Sequence, residues 1–553
     1  MKKVLALVLI VVMLTGLMAA CGGNPAIPGT SSTPAATSAP SGTTTAPAVT
    51  GDPDEIGFPI DTTETLTYWI RLNTASVTPN YTTLNDIDFA KFLEEDTGVF
   101  VEYVSPPVGQ ETEAFSLLIS SGDMPDIVEY SWNTFPGGPA AAVMNGTLIP
   151  HNDLFARFAP ALTGLLEENP DYDKMVKTDD GVYYTYPVMK LDDTLNTTAG
   201  PVVRWDWLDD LNMAHPETIE DWYNMLVAFR DEKGAEYPLS FPGWGWFRTH
   251  MGYTIIGAYG VNMSWYLENG AVVFGPYEPG YKDWLLEMAK WYAEGLIDPN
   301  FATNDGVAVD SNIINHDTGA TSLWLGSGLG RYLPPLREEN ERYTMGPVQY
   351  PVLNRGETPK FSSLLNMFDG TGASITTSAS NPELAARWLD YGYTEPGRKL
   401  YNYGREGISW YFDAQGIVQL TDAIWEHEKG WPLNQAWSQF ARGVYPGPYF
   451  SEARFLELYY PYDEQVKGLE LFTATNMREH LLPPISPSPD EANQFGRVMS
   501  DVLAHVDEYT MTAILGIVDV EATFESYLDE LRGMGIEEAI AIQNTALERY
   551  ANR

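Results

Sequence analysis

From residue 64 onwards, segments whose apolar residues recur at every second position, as in a strand, alternate with segments whose apolar residues recur with the period of a helix. TLTYWI at 65–70 and VFVEYV at 99–104 predict strands, and IDFAKFLEEDTGV at 87–99 predicts a helix that ends at Gly98. A strand, a helix and a second strand in this order predict a parallel pair of strands with helices covering the sheet.

The next segment continues this pattern and brings aromatic and polar side chains to one edge of the predicted sheet. TEAFSLLISSGDMPDIVEYSW at 112–132 predicts an amphipathic helix, a turn and a strand. Ligands of such sheets bind beyond the carboxyl ends of the strands. We therefore expect ligand-binding side chains at this edge, and the candidates are Arg71, Asn73, Tyr130 and Trp132.

The first residues have the pattern of a secretory signal peptide over 1–20. Two lysines precede an apolar run that ends in small residues, and the sole cysteine, Cys21, follows directly. The segment LMAAC resembles a bacterial lipobox, although Met18 stands where leucine is usual. The resemblance implies cleavage before Cys21 and a diacylglycerol on that residue. The alternative is an ordinary signal peptide followed by a cysteine without this role.

The segment after Cys21 predicts a disordered tether that ends near residue 60. It consists of Gly, Ser, Thr, Pro and Ala with almost no large apolar side chain, so it cannot bury enough surface to fold. A coil of this length spans roughly 35 Å root mean square, which is enough to hold a folded domain away from a membrane.

Length and charge narrow the class of ligand. A chain of 553 residues is too long for one ordinary core and predicts two or more lobes that can enclose a cleft. Asp and Glu number 75 against 32 Lys and Arg, giving a formal net charge of −43, which repels nucleic acid and other polyanions and favours a neutral or cationic ligand. With one cysteine, no intrachain disulfide and no cysteine-built metal site can form.

Motifs of catalysis and cofactor binding are lacking in the sequence. SLWLGSGLG at 322–330 has neither the spacing of a dinucleotide fingerprint nor that of a nucleophile elbow, and predicts a loop. The seven histidines show no metal-binding spacing. We therefore predict no catalytic residue, no metal and no cofactor. A glycoside hydrolase stays open as an alternative, because it needs only two suitably separated carboxylates.

The order of the motifs resembles that of a known family. The strings are SSGDMPDIV, GTLIP with NDL, DGVYYTYPV, VVRWDWLDDLNMAHPETIEDWYNMLVAF, YKDWLLEMAKWYAEGLIDPNF and ITTSASNPELAARWLDYGYTEPGRKLYNYGREGISW. Together they resemble the family 1 extracellular solute-binding proteins, the capture components of ABC importers. The similarity is to the large lipoprotein branch of Gram-positive bacteria that is associated with oligosaccharide uptake, and it covers roughly residues 64 to 550.

The resemblance implies an α/β fold of the periplasmic-binding-protein type II, with two discontinuous lobes that close on a ligand about a hinge. We expect the chain to cross between lobes near Pro187 and again at 364–373. The first lobe is then 60–187 plus 374–430, and the second is 188–363 plus 431–553. The resemblance also implies a monomer on the extracellular face of the cytoplasmic membrane, served by a separate permease and ATPase.

An aromatic cluster in the predicted second lobe is suited to stacking on a ligand. SFPGWGWFRTH at 240–250 follows a strand-like run, and its composition favours a loop over a regular helix or strand. We expect Trp246, Trp244 and Arg248 to contact ligand, because an aromatic ring packs on the apolar face of a sugar and polar groups bind its hydroxyls. Two alternatives stay open: Trp244 as a local anchor, and Arg248 in a salt bridge.

Five further residues complete the predicted ligand site. TGATSLWLGSG at 318–328 resembles the segment in which sugar-binding relatives carry a stacking tryptophan, which implies this role for Trp324. Asn366 and Asp369 lie at the predicted second crossing, and YGREGISW at 403–410 contains Glu406 and Trp410.

These observations predict a lipid-anchored receptor that captures a carbohydrate, of oligosaccharide size, and passes it to a permease. The alternatives are a receptor for a peptide or another small molecule on the same scaffold, an adhesin that holds glycans at the surface, and the glycoside hydrolase.

Overall fold

The computed structural model of the chain describes residues 57–72, 81–197, 199–246, 254–443 and 447–553, without the side chain of Trp246. The predicted signal peptide, the lipobox cysteine Cys21 and almost all of the predicted tether lie outside the described residues. Asn73 and Arg248 also lie outside them.

Within the described residues the chain alternates between short strands and helices. The strands are β1 (Thr65–Ile70), β2 (Phe100–Val104), β3 (Ile127–Ser131), β4 (Tyr186–Pro187), β5 (Ala199–Arg204), β6 (Trp265–Glu268), β7 (Ala271–Phe274), β8 (Ala320–Trp324), β9 (Met345–Pro347), β10 (Thr371–Ile375), β11 (Trp410–Phe412) and β12 (Val418–Leu420).

The helices in the first half of the chain are α1 (Asp88–Thr97), α2 (Glu111–Ser121), α3 (Gly138–Met144), α4 (Asn152–Phe158), α5 (Pro160–Glu168), α6 (Pro170–Met175), α7 (Trp205–Leu211), α8 (Ile219–Asp231), α9 (Gly243–Trp246) and α10 (Gly280–Ala293). Those in the second half are α11 (Gly306–Ile314), α12 (Gly330–Glu339), α13 (Pro382–Asp390), α14 (Glu395–Tyr403), α15 (Asp422–Trp425), α16 (Leu433–Ser438), α17 (Arg454–Tyr459), α18 (Asp463–Thr473), α19 (Met477–His480), α20 (Pro489–Ile514), α21 (Val520–Met534) and α22 (Ile536–Ala551).

The parallel pair predicted from the first strand–helix–strand pattern is confirmed. Strands β1 and β2 are parallel, with Trp69 opposite Val104. Helix α1 between them buries Phe89 and Leu93, and it ends at Gly98, whose φ of 73° is the left-handed conformation that glycine adopts at low cost. Local periodicity therefore determines this part of the fold.

Two sheets, each at the centre of one lobe, give the two-lobed α/β architecture. The five-stranded sheet has the order β2-β1-β3-β10-β4, in which β1 and β3 are parallel and β10 is antiparallel to β3. The three-stranded sheet has the order β8-β5-β9 and is antiparallel. Neighbouring residues Val202 and Val203 of β5 point to opposite faces of this second sheet, and each joins a different hydrophobic core.

The hydrophobic cores show which segments pack together. The core around the first sheet takes its residues from 60–189, from 368–401 and from Tyr449. Trp410 and Val418 pack with residues of β5 and β8, although the border drawn from the sequence at 430 puts them in the first lobe. The lobe borders themselves remain a prediction.

Three neighbouring passes of the chain connect the two cores. Two of them run between Met189 and Leu195 and between Leu364 and Phe368, whereas the lobe crossings expected from the sequence remain predictions. The third is at 449–451: the Met189 N–H donates to the Tyr449 carbonyl and the Ser451 N–H donates to the Met189 carbonyl, both at 2.9 Å. No helix in the described part of the chain is both long and apolar enough to span a membrane.

Candidate functional site

A cavity of about 720 Å³ opens beside the carboxyl end of β8. This volume lies within the range of roughly 300–1,000 Å³ that is typical of small-molecule sites. Its aromatic lining comes from β8, from the helix that follows it and from two segments much later in the chain: the residues are Trp324, Tyr332, Trp425, Tyr459 and Tyr462.

The end of β8 brings Trp324 to the edge of the cavity. Trp324 is the last residue of the strand and is paired with Ala199, the first residue of β5. The chain then forms a wide π-type turn over Leu325–Leu329, where the sequence predicts a loop. The buried amide of Gln465 fixes this turn, because its Nε2 donates to the Leu325 carbonyl at 2.7 Å.

Gly326 allows a tyrosine to approach the turn closely. A Cβ at this position would overlap the ring of Tyr459, so a residue without a side chain is required for the observed packing. The Tyr459 ring stacks on Phe455 at a centroid distance of 5.3 Å, and Phe455 packs on the buried Trp437 at 4.6 Å. This row of rings supports the cavity wall from the core outwards.

The charged side chains that line the cavity neutralise each other. Among the described residues these are Asp310 and Arg331, whose Oδ1 and guanidinium nitrogen lie 2.7 Å apart. The Tyr332 hydroxyl also donates to Asp310. The lining therefore carries no net charge, although the whole chain has a formal net charge of −43.

Neutral polar groups complete the cavity wall. They include the hydroxyls of Tyr459 and Tyr462, the side-chain amide of Asn434 and the hydroxyl of the exposed Ser327. Burial raises the pKa of the Tyr459 hydroxyl to about 12, so this group keeps its proton at neutral pH and can donate it in a hydrogen bond. Rings with adjacent hydroxyls and amides can bind a molecule that has both apolar faces and hydroxyl groups.

The first lobe contacts a segment next to this wall. Among the described residues that line the cavity, none comes from the first sheet or its helices. Trp431, which lies between Trp425 and Leu433 of the lining, packs edge-on against Tyr81 with ring centroids 6.0 Å apart. The segment next to the cavity wall thus meets the first lobe at Tyr81.

The aromatic candidates at the edge of the first sheet lie in the core. Trp132 has no exposed surface and packs between Phe115 and Phe135. Tyr130 is half-buried, and its ring stacks on Phe115 at 4.4 Å. We expected Trp132 at the rim, but it offers no surface to a ligand in this structure, because it begins the 3₁₀ turn after β3 and points into the core.

The polar candidates are divided between the hinge and the surface. The Asn366 amide donates to the Leu482 carbonyl at 2.6 Å, and Asp369 is exposed beside the start of β10. Arg71 and Glu406 are also exposed. None of these four residues lines the 720 Å³ cavity.

The remaining tryptophan candidates have different surroundings. Gly243–Trp246 form a single turn of helix where the sequence favours a loop. Trp244 is half-buried with its ring centroid 6.5 Å from that of Phe301, which fits the alternative of a local anchor. Trp410 is buried, and its Nε1 donates to the Gly404 carbonyl at 2.9 Å.

Sequence reasoning missed most of the aromatic lining. Trp425 is 46% exposed and lies at the end of the short helix α15, next to the charged string EHEKG. Tyr459 and Tyr462 belong to YYPY at 459–462, an aromatic group around a proline that resembles the cluster at 240–250 in composition. The aromatic composition of this segment is visible in the sequence and could have indicated these two residues.

The described residues contain no group of three or more His, Cys, Asp or Glu side chains placed to hold a metal ion.

Comparison with known proteins places this architecture in a family. A family model described as bacterial extracellular solute-binding protein matches residues 74–399, which is more than half of the chain. The fructooligosaccharide ABC transporter substrate-binding protein FusA of Streptococcus pneumoniae is 24% identical over 531 residues, 90% of this chain and 92% of that protein. Lipoprotein LipO of Bacillus subtilis is 21% identical over 411 residues, 71% of this chain and 78% of that protein.

The fold is shared with solved structures of proteins that bind glycans. The crystal structure of the alginate-binding protein AlgQ2 without calcium ion superposes with a TM-score of 0.71 at 21% identity, over 88% of this chain and 98% of that one. The two-lobed α/β fold is consistent with the match of the family model over residues 74–399. The chain belongs to the family of bacterial extracellular solute-binding proteins.

Proposed function

We propose that this protein captures a neutral oligosaccharide in the 720 Å³ cavity and delivers it to the permease of an ABC importer. The observation that carries the proposal is the lining of that cavity, in which aromatic rings surround an ion pair of one acidic and one basic side chain. The names of two similar proteins support a carbohydrate ligand, because one is a fructooligosaccharide substrate-binding protein, FusA, and the other is the alginate-binding protein AlgQ2. Of these two, only FusA is named for a neutral oligosaccharide.

The chemistry of the lining suits a neutral sugar. The apolar face of a sugar ring packs on an aromatic ring, and its hydroxyls bind to tyrosine hydroxyls and amides. The formal charge of −43 opposes a polyanionic ligand through long-range repulsion. Because Asp310 is already paired with Arg331, the described residues of the lining offer no spare carboxylate to a cationic ligand. This favours an oligosaccharide over a peptide with a free amino terminus.

Binding needs no covalent chemistry. Ligand contacts to both lobes would favour the closed arrangement, and only that arrangement would have the surface that the permease recognises. The ATPase and the permease are then separate chains, and this chain acts as a monomer. The lobe borders of 60–187 plus 374–430 and 188–363 plus 431–553 belong to this proposal, as do ligand contacts from Trp246 and Arg248.

We also propose that the protein is anchored by lipid on Cys21 to the extracellular face of the cytoplasmic membrane. The small residues before Cys21 and the tether after it support the anchor. Cys21→Ser should release the protein from membranes and abolish its labelling by radioactive palmitate. Unchanged labelling of the variant would contradict the anchor.

Thermal unfolding with a panel of ligands tests the proposed ligand class. The panel contains kestose, maltotetraose, cellotetraose and xylotetraose, an alginate oligomer as the anionic control, and short basic and neutral peptides. A ligand that binds only the folded state raises the midpoint of unfolding. We expect a shift with at least one neutral oligosaccharide and none with the peptides. A shift with peptides alone would contradict the proposal, and release of reducing ends during incubation would indicate a hydrolase.

A further inference from the structure

We propose that Lys190 and Asp369 in the hinge form a second sugar contact, in which two adjacent hydroxyls of one sugar residue lie between the ammonium and the carboxylate. This inference rests on the proposed function and extends it from the cavity at Trp324 to the hinge. Neither residue lines that cavity.

Lys190 is a half-buried cation whose ammonium makes no hydrogen bond or ion pair with any residue that the structure describes. It lies three residues after the end of β4, in the first pass between the lobes. In a chain with 75 acidic and 32 basic residues, cations find carboxylate partners easily. An ammonium that is partly removed from water without such a partner loses hydration, and a ligand oxygen can replace that hydration.

Asp369 lies close to Lys190 but does not form an ion pair with it. The antiparallel register of β4 and β10 pairs Pro187 with Gly372, and its continuation by three residues brings Lys190 opposite Asp369. Burial lowers the pKa of Lys190, and the charge of Asp369 acts in the opposite direction. The Asp369 carboxylate is held in place, because its Oδ1 accepts from the Thr371 N–H at 2.9 Å. Its backbone carbonyl accepts from the Asn133 amide at 3.3 Å.

A separated ammonium and carboxylate match the needs of adjacent sugar hydroxyls. The ammonium has only donors and the ionised carboxylate only acceptors, whereas a hydroxyl can donate and accept. One hydroxyl can therefore accept from Lys190 while its neighbour donates to Asp369. The nearby carboxylate also makes the site unfavourable for an anionic substituent, so the ligand group that fits between the two side chains is a neutral diol.

The position of the pair connects it to the proposed cavity. The Asn196 amide donates to the Lys190 carbonyl at 2.8 Å, and three residues later Ala199 pairs with Trp324. On the other side, Asn133 lines a smaller cavity of about 150 Å³, which has room for about five water molecules. A chain of several sugar residues can thus extend from the aromatic cavity along the hinge.

Titration calorimetry with the panel oligosaccharide that gives the largest thermal shift tests the inference. We expect Lys190→Met to raise Kd about tenfold, which corresponds to about 1.4 kcal/mol. Lys290→Met, which removes an exposed lysine paired with Glu287, should leave Kd unchanged. The Kd of the parent should change little between low and high salt, and a steep salt dependence would contradict a neutral diol.

Chemical labelling of the unmodified protein gives a second readout. An amine with a lowered pKa reacts readily with an acetylating reagent, and bound oligosaccharide should protect Lys190 from acetylation while Lys290 reacts equally with and without it. This readout decides the question if Lys190→Met does not fold. Equal affinity of Lys190→Met together with no protection would overturn the inference.

The outcomes separate the two proposals. The parent binds oligosaccharide and Trp324→Ala weakens that binding if the proposed function is right. If, in addition, Lys190→Met binds as tightly as the parent and Lys190 is not protected from acetylation, the hinge contact is wrong and the proposed function stands. If no neutral oligosaccharide in the panel binds to the parent, the proposed function fails and the hinge contact fails with it.

Discussion

Replacing His151 with glutamine should make the protein more resistant to acid. His151 has no exposed surface. Its Nδ1 lies 2.5 Å from the Ile149 carbonyl oxygen, and its Nε2 accepts from the Ile375 N–H at 3.1 Å. The neutral ring satisfies both partners, whereas a second proton on Nε2 would face another donor. Glutamine also has one donor and one acceptor, and it does not titrate.

The size of the effect follows from the pKa. Burial lowers the pKa of His151 from 6.5 to about 4. As the pH falls below 6.5, the unfolded chain binds a proton on this histidine while the folded chain does not, so the free energy of unfolding decreases until about pH 4. Between pH 7 and pH 5, the loss from this one group is about 2 kcal/mol.

Urea unfolding at several pH values measures this loss. Other groups titrate in the same range, so the quantity to compare is the difference in free energy of unfolding between His151→Gln and the parent. We expect this difference to shift by about 2 kcal/mol in favour of the variant between pH 7 and pH 5. A difference that stays constant within about 0.5 kcal/mol would refute the lowered pKa of His151.

Two further predictions each have a matched control. Gly326→Ala should raise the Kd for oligosaccharide about tenfold, because the added methyl must displace the neighbouring tyrosine ring. Gly306 lines the same cavity and has open space around it, so Gly306→Ala should leave the Kd measured by calorimetry unchanged. Equal Kd values for the two variants would argue against the Tyr459 ring as a ligand contact. Glu129→Gln should destabilise the protein by about 3 kcal/mol, because it removes the carboxylate that neutralises the buried Arg442. Glu95→Gln, in an exposed pair, should hardly change the midpoint of thermal unfolding, and similar midpoints for the two glutamate variants would contradict the difference in burial.

The sequence predicts those parts of the fold that depend on neighbours along the chain. The period of apolar residues predicts β1, α1 and β2, and Gly98 marks the end of the helix. The motif order predicts two lobes, and the crossings between them that it implies near Pro187 and at 364–373 remain predictions. The third pass at 449–451 depends on hydrogen bonds between Met189 and residues far away in the sequence, which no local pattern reveals.

The ligand site could be predicted only in part for the same reason. Trp132 and Trp324 both occur at the ends of strand-like runs, and the sequence does not distinguish them. Trp132 is enclosed by the rings of Phe115 and Phe135, whereas Trp324 lines a cavity. The partners of Trp324 come from distant parts of the chain and meet it only because the second sheet and the helices after residue 421 fold around the same space.

Calorimetric titration of Trp425→Ala with the oligosaccharide that the parent binds tests the central claim most directly. Phe412→Ala is the control, because both rings are 46% exposed and only Trp425 lines the cavity. A ring that stacks on the ligand contributes at least about 1.4 kcal/mol, so we predict that Trp425→Ala raises Kd tenfold or more while Phe412→Ala leaves it unchanged. Equal Kd values for the parent and Trp425→Ala would contradict the assignment of this cavity as the sugar-binding site.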